Sequence, residues 1–205
     1  MKKVWTIVVC AVSCLTIWAA TPHAAGGDVS TLPLLQFSDL NYLGAFRLPD
    51  TTVNGYNFSY GGAPVAYNPA NDSLFVGGNG GIAEISIPAP SPSTDINQLP
   101  FASLVQGFVD PTQGTLGQVG TGVTLNGLMV YGDRLYGTAS IYYDANNIQR
   151  LSHYSRSTDL SASSFSGWSA VWHPDFSGFV SGFMGYRPVP ARDGGAIRNA
   201  IGPQR

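Results

Sequence analysis

The chain is short of most of what charged, helical proteins use. Only 11% of its 205 residues are charged, no lysine follows Lys3, and Glu84 is the single glutamate. Solvent-facing helices draw on Glu, Lys and Ala, so this supply argues against a mainly helical protein. Cysteine is confined to Cys10 and Cys14. Beyond them no thiol remains, which excludes disulfides, cysteine nucleophiles and thiolate metal sites from the rest of the chain. The formal net charge of −2 excludes nucleic-acid binding through a general basic surface. A nucleotide-binding glycine loop is missing too. Gly77-Gly78-Asn79-Gly80-Gly81 has no following Lys-Ser/Thr and leads into a strand pattern.

One long apolar run exists, and it lies at the start. Lys2 and Lys3 precede the uncharged stretch Val4 to Ala20, and small residues follow at Ala24, Ala25 and Gly26. Residues 1–26 read as a secretory signal. The expected location is secreted or periplasmic, with membrane contact only through this segment. An uncleaved anchor, or lipid attachment at Cys14 after Ala11-Val12-Ser13, are the other readings of the same residues.

What the chain does have is glycine (25), tyrosine (10), phenylalanine (10) and many Ser and Asn residues. This suits short strands and tight turns. Residues 27–62 read as a polar lead, a strand over Tyr42 to Leu48 and an aromatic, glycine-bearing loop. Strands are expected at 64–67, 74–76, 82–87 and 101–109. The third puts Ala83, Ile85 and Ile87 on one face and Glu84 and Ser86 on the other. Four more are expected at 128–131, 135–143, 148–156 and 165–172.

The second set echoes the first at a fixed spacing of 64 positions. Tyr67 returns as Tyr131, and Ser93-Thr94-Asp95-Ile96 as Ser157-Thr158-Asp159-Leu160. Phe101, Leu104, Phe108 and Gly114 return as Phe165, Trp168, Trp172 and Gly178. An offset held through several loops marks two copies of one supersecondary unit, at 63–126 and 127–187. Residues 188–205 break the pattern, and Arg187, Arg192, Arg198 and Arg205, four of the eight arginines, crowd this last stretch; disorder is expected over 188–205. A chain with two such units is expected to be a truncated product, or one that completes itself as an oligomer.

Four short antiparallel strands per unit, repeated in tandem, resemble the blades of β-propeller proteins. A narrower likeness is to the Asp-box of sialidase-like propellers, carried by Ser93-x-Asp95 with Phe101 and Ser157-x-Asp159 with Phe165. Asn97 and Ser161 stand where that motif has glycine, and each aromatic lies one residue further along. The resemblance implies an all-β fold of blade-like sheets forming a partial propeller.

Residues that recur in every unit are expected to be turn devices. Ser93, Asp95, Ser157 and Asp159 are therefore read as structural caps of backbone N–H groups. His153 and His173 lack a converging second group. Glu84 would need a second carboxylate for glycoside hydrolysis, and spacing selects neither Asp133 nor Asp144. Arg134, Arg150 and Arg156 could bind an anion if they met at one rim. Asp144-x-Asn146 begins like a calcium loop but lacks its glycine and terminal Glu, so a hairpin turn is expected and calcium is the one cofactor left open. Tyr56, Phe58, Tyr60, Tyr142, Tyr143 and Tyr154 suit sheet faces or glycan stacking. The functional expectation is an exported binding or scaffold module without catalysis, whose partner is a glycan or another protein. The alternative is part of a glycan-active hydrolase or lyase.

Overall fold

A computed structural model describes residues 33–60, 64–170, 182, 184–185 and 198–199. The apolar leader 1–26, Trp172, His173, Gly178, Arg187 and Arg192 lie outside the described residues. The chain divides into two units, Met1–Asn41 and Tyr42–Arg205. In the first, a 3-10 turn at Phe37–Asp39 is closed by the Gln36 N–H donating to Asp39 Oδ2 at 2.8 Å.

The second unit is all-β. The strands are β1 (Val65–Asn68), β2 (Ser73–Gly77), β3 (Ile82–Ser86), β4 (Leu104–Val109), β5 (Val123–Tyr131), β6 (Arg134–Ile141), β7 (His153–Ser157) and β8 (Trp168–Ser169). They make two four-stranded sheets, β1-β2-β3-β4 and β5-β6-β7-β8, antiparallel throughout. Two further short strands, β9 (Met184–Gly185) and β10 (Arg198–Asn199), pair antiparallel. Among the described residues there is no α-helix, and none long and apolar enough to cross a membrane.

The hairpins follow turn chemistry. Tyr131 pairs with Arg134, leaving Gly132-Asp133 as a two-residue loop. Gly132 sits at φ +61°, which suits a first loop position that L side chains rarely take. In the longer β1–β2 turn, Asp72 takes φ +49° and its Oδ1 accepts from the Tyr67 hydroxyl at 2.9 Å.

Strand alternation puts Ala66, Phe75, Glu84 and Gln106 on one face of the first sheet, in register across four strands. This face meets the second sheet. Ala66, Phe75 and Ile82 share one core cluster with Leu128, Leu135 and Leu160. Fully burying a Phe or Leu contributes about 1.5–3 kcal/mol. The first strands of the two sheets, β1 and β5, are packing neighbours. On the opposite face of the first sheet, Val76, Ile85 and Ala102 are covered by Phe46, Leu48 and Phe58. Phe58 packs at a tilt against Phe108 with centroids 4.5 Å apart.

Several expected strands are shorter than their sequences suggest, β8 among them, which begins at Trp168 and not Phe165. Tyr42–Leu48 makes only isolated bridges, Ala45 to Ser91 and Arg47 to Phe101, because its partners are loop residues. The fourth strand of the first sheet begins at Leu104, not Phe101. Phe101 is half exposed, with the Arg47 guanidinium 3.8 Å from its ring centroid. The third strand of the second sheet begins at His153, not Ile148. The Gln149 side chain accounts for this: its Oε1 accepts from Ile141 N–H at 2.9 Å, and its Nε2 donates to the Ala139 and Leu151 carbonyls at 3.0 and 2.9 Å. One buried amide thus supplies the ladder contacts that a longer β7 would have made.

Gly137 and Tyr154 pair across β6 and β7. The tyrosine ring lies so close over the glycine that an added Cβ would sit 2.2 Å from it. The aromatic covers the strand where it lacks a side chain. Tyr154 also packs edge-on against Trp168, with centroids 5.3 Å apart.

Candidate functional site

The two Ser-x-Asp turns make the same contacts. The Asp95 N–H donates to Ser93 Oγ at 3.1 Å, and Asp95 Oδ1 accepts from the Asn97 N–H at 2.9 Å. The Asp159 N–H donates to Ser157 Oγ at 3.1 Å, and Asp159 Oδ1 accepts from the Ser161 N–H at 2.9 Å. Asp159 Oδ1 further accepts from the Ser161 hydroxyl at 2.7 Å. That hydrogen bond is the main reason its carboxyl titrates below the ordinary aspartate value. Asp159 also borders a groove of about 310 Å³ beside Gln106, Phe108 and Leu160.

Glu84 is fully buried between the sheets. Its Oε1 accepts from Asn68 Nδ2 at 2.7 Å, from Asn71 Nδ2 at 3.0 Å and from the Ser73 hydroxyl; its Oε2 accepts from Gln106 Nε2. Burial alone would raise its pKa, but these four donors outweigh it, so the carboxyl titrates below its ordinary value. Gln106 carries the network across the interface. Its Nε2 donates to the Thr158 carbonyl at 2.9 Å, and its Oε1 accepts from the Leu160 N–H at 2.7 Å. The buried Arg156 holds the same turn from behind. Its Nη2 donates to the carbonyls of Leu160 at 2.9 Å and Ala162 at 3.2 Å. Burial lowers the guanidinium pKa, with Tyr154, Asp159 and Asp110 acting in the other direction.

The three arginines considered as an anion rim do not gather. Arg156 is internal. Arg134 donates to Ser155 Oγ at 2.9 Å at the start of β6, whereas Arg150 donates to the Asn147 carbonyl at 2.7 Å in the loop beyond its end. Eight strand residues separate those sites, a span of roughly 20–25 Å. Asp144 is buried, and its two oxygens accept from the Ile148 and Gln149 N–H groups at 2.8 and 2.9 Å. Among the described residues, no group of three or more His, Cys, Asp or Glu side chains gathers as metal ligands do. His153 is half-buried on β7, with Nδ1 at 2.8 Å from Ser152 Oγ.

The tyrosines divide by role. Tyr56 packs against Phe108 and Tyr154 is buried, but Tyr60, Tyr142 and Tyr143 are exposed. Tyr60 borders a cleft of about 300 Å³, with Asn79 and Gly80 from the β2–β3 turn and Val123, Thr124 and Leu125 from β5. Tyr142 directly follows β6, and its N–H reaches the Gly122 carbonyl at 3.4 Å. Beside it runs a polar strip. The Thr124 hydroxyl donates to Asn126 Oδ1 at 3.2 Å, and Asn126 Nδ2 donates to Ser140 Oγ at 2.7 Å. The sequence singled out the tyrosines but not this strip, whose only signal is Thr-x-Asn on one strand opposite Ser140 on the next. Comparison with protein-family models, with curated proteins and with solved structures matched nothing.

Proposed function

We propose that the chain forms two blades of a β-propeller and works outside the cytoplasm as a binding or scaffold module rather than a catalyst. One observation carries this reading: the groups best suited to chemistry are committed to holding the fold. Glu84 has no exposed surface and accepts four hydrogen bonds. Asp95, Asp110, Asp144 and Asp159 each accept from backbone N–H groups. A general acid or nucleophile needs an oxygen that substrate can reach. The propeller part is supported by the packing of β1 beside β5 and by the core the two sheets share, since successive blades stack face to face around an axis. The 64-residue spacing and the apolar leader support tandem blades and export.

The test is product release. The full chain is incubated with cellulose, xylan, starch, chitin, pectin and alginate, and new reducing ends and unsaturated uronate absorbance are followed. The module reading expects no release above buffer. Release that one carboxylate substitution such as Glu84→Gln abolishes would establish a glycan-active hydrolase or lyase instead.

A further inference from the structure

We propose that Asn54 is a site of covalent self-modification: Gly55 displaces its side-chain amide, and the acid that results releases the Asn54–Gly55 hairpin from β4.

The chemistry needs an asparagine followed by a residue whose backbone nitrogen can reach the side chain. That nitrogen attacks Asn54 Cγ. The N–Cγ bond forms, the Cγ–Nδ2 bond breaks, and the nitrogen's proton leaves with Nδ2 as ammonia. Water then opens the five-membered imide at either of its two carbonyls, giving aspartate or isoaspartate with no change of oxidation state. Glycine is the residue that best permits attack, because no Cβ crowds its nitrogen.

The chain has three Asn-Gly steps, at Asn54-Gly55, Asn79-Gly80 and Asn126-Gly127, and the structure separates them. The Gly80 N–H donates to the Gly78 carbonyl at 2.8 Å. The buried Gly127 N–H donates to Thr138 Oγ1 at 2.9 Å, and Asn126 Nδ2 is held by Ser140 Oγ at 2.7 Å. Asn54 and Gly55 instead form the two-residue loop of a small hairpin, closed by reciprocal Val53 and Tyr56 backbone bonds at 2.9 and 3.0 Å. Their φ angles of +54° and +83° fit a type I′ turn. Both residues are exposed. The Gly55 N–H has no hydrogen-bond partner among the described residues, and a Cβ added to Gly55 would meet nothing within 4 Å. The turn therefore has room to rotate into the attacking geometry with its nucleophile unengaged.

The group that leaves is the one that ties this hairpin to the first sheet. Asn54 Nδ2 donates to the Phe108 carbonyl on β4 at 3.2 Å. A carboxylate in its place sets acceptor against acceptor. It also adds a negative charge to the groove that Asn54 and Asp159 both line.

Peptide mass mapping of the full chain, aged at neutral and at mildly alkaline pH, tests this through the mass gain of the amide-to-acid change, with isoaspartate read by electron-transfer fragmentation. Asn54 should convert about tenfold faster than Asn79 or Asn126, the factor that holding the attacking N–H in one hydrogen bond supplies. Conversion should speed up with pH and yield isoaspartate, and in urea the three sites should converge. Asn54→Gly keeps the turn and only removes the donor, so Asn54→Asp should melt below it. The proposal is overturned if Asn54 in folded protein stays intact or converts no faster than the other two. Equal melting of Asn54→Asp and Asn54→Gly would overturn the release of the hairpin.

Discussion

At the scale of single residues, two buried polar groups behave oppositely. Glu84 is surrounded only by donors. Replacing it with Gln turns one acceptor into an amide N–H that faces them, whichever way the side chain is flipped. Glu84→Gln should cost about 1–3 kcal/mol at pH 7, read by urea denaturation. The folded-state pKa lies below the ordinary value of 4.5, so this stabilisation is present above pH 4.5 and lost as pH falls through the folded value. The gap between wild type and variant should therefore narrow in acid; a gap constant from pH 7 to pH 3 would contradict the assignment. The Tyr154 hydroxyl is the contrary case. It is buried with no hydrogen-bond partner among the described residues, and burial drives its pKa above the ordinary tyrosine value, with the Arg156 charge opposing and Asp110 adding. Leaving a buried hydroxyl unsatisfied costs about 1–3 kcal/mol. Tyr154→Phe should thus be neutral or stabilising in thermal melts, and a marked fall in melting temperature would reveal a partner for the hydroxyl.

At the scale of elements, the two Ser-x-Asp turns share a hydrogen-bond pattern but differ in what they support. No residue of the 3-10 turn after Asp95 is buried. Beyond Asp159, the buried Leu160 joins the inter-sheet core and its N–H is held by Gln106. Asp159→Ala should therefore lower the melting temperature more than Asp95→Ala. Equal effects on stability would mean that the bridge to Gln106 is mechanically idle. The turns and the β1, β2 and β3 strands were legible in the sequence because alternation and turn formers are local signals. The start of β7 was not, because Ile148 to Ser152 has strand-like residues and the competing partner is a side chain, Gln149. Glu84 was visible as a lone glutamate on a strand face. Its donors Asn68, Asn71, Ser73 and Gln106 come from separate elements, so only the sheet register brings them to it. The tyrosines were legible by type, but which of them face water depends on the Tyr56–Phe108 and Tyr154–Trp168 packing.

At the scale of the whole molecule, the account stands on the two sheets sharing one core. The cleft takes residues from both, so it exists only while they stay stacked. The Glu84–Gln106–Leu160 bridge and the Phe75, Ile82, Leu128 and Leu135 cluster both cross this interface. Phe75→Ala tests the stacking most directly, because Phe75 belongs to the first sheet while Trp168 reports on the second. Phe→Ala in a packed core costs about 3–5 kcal/mol. The measurement is denaturant unfolding of the 5-fluorotryptophan-labelled chain by fluorine NMR, with the Trp168 resonance assigned through Trp168→Phe and far-UV circular dichroism followed in parallel. Stacked sheets require the Trp168 and circular dichroism midpoints to fall together in Phe75→Ala. A Trp168 midpoint that stays at its wild-type value while the dichroism midpoint falls would show two sheets that fold independently, and would contradict the account.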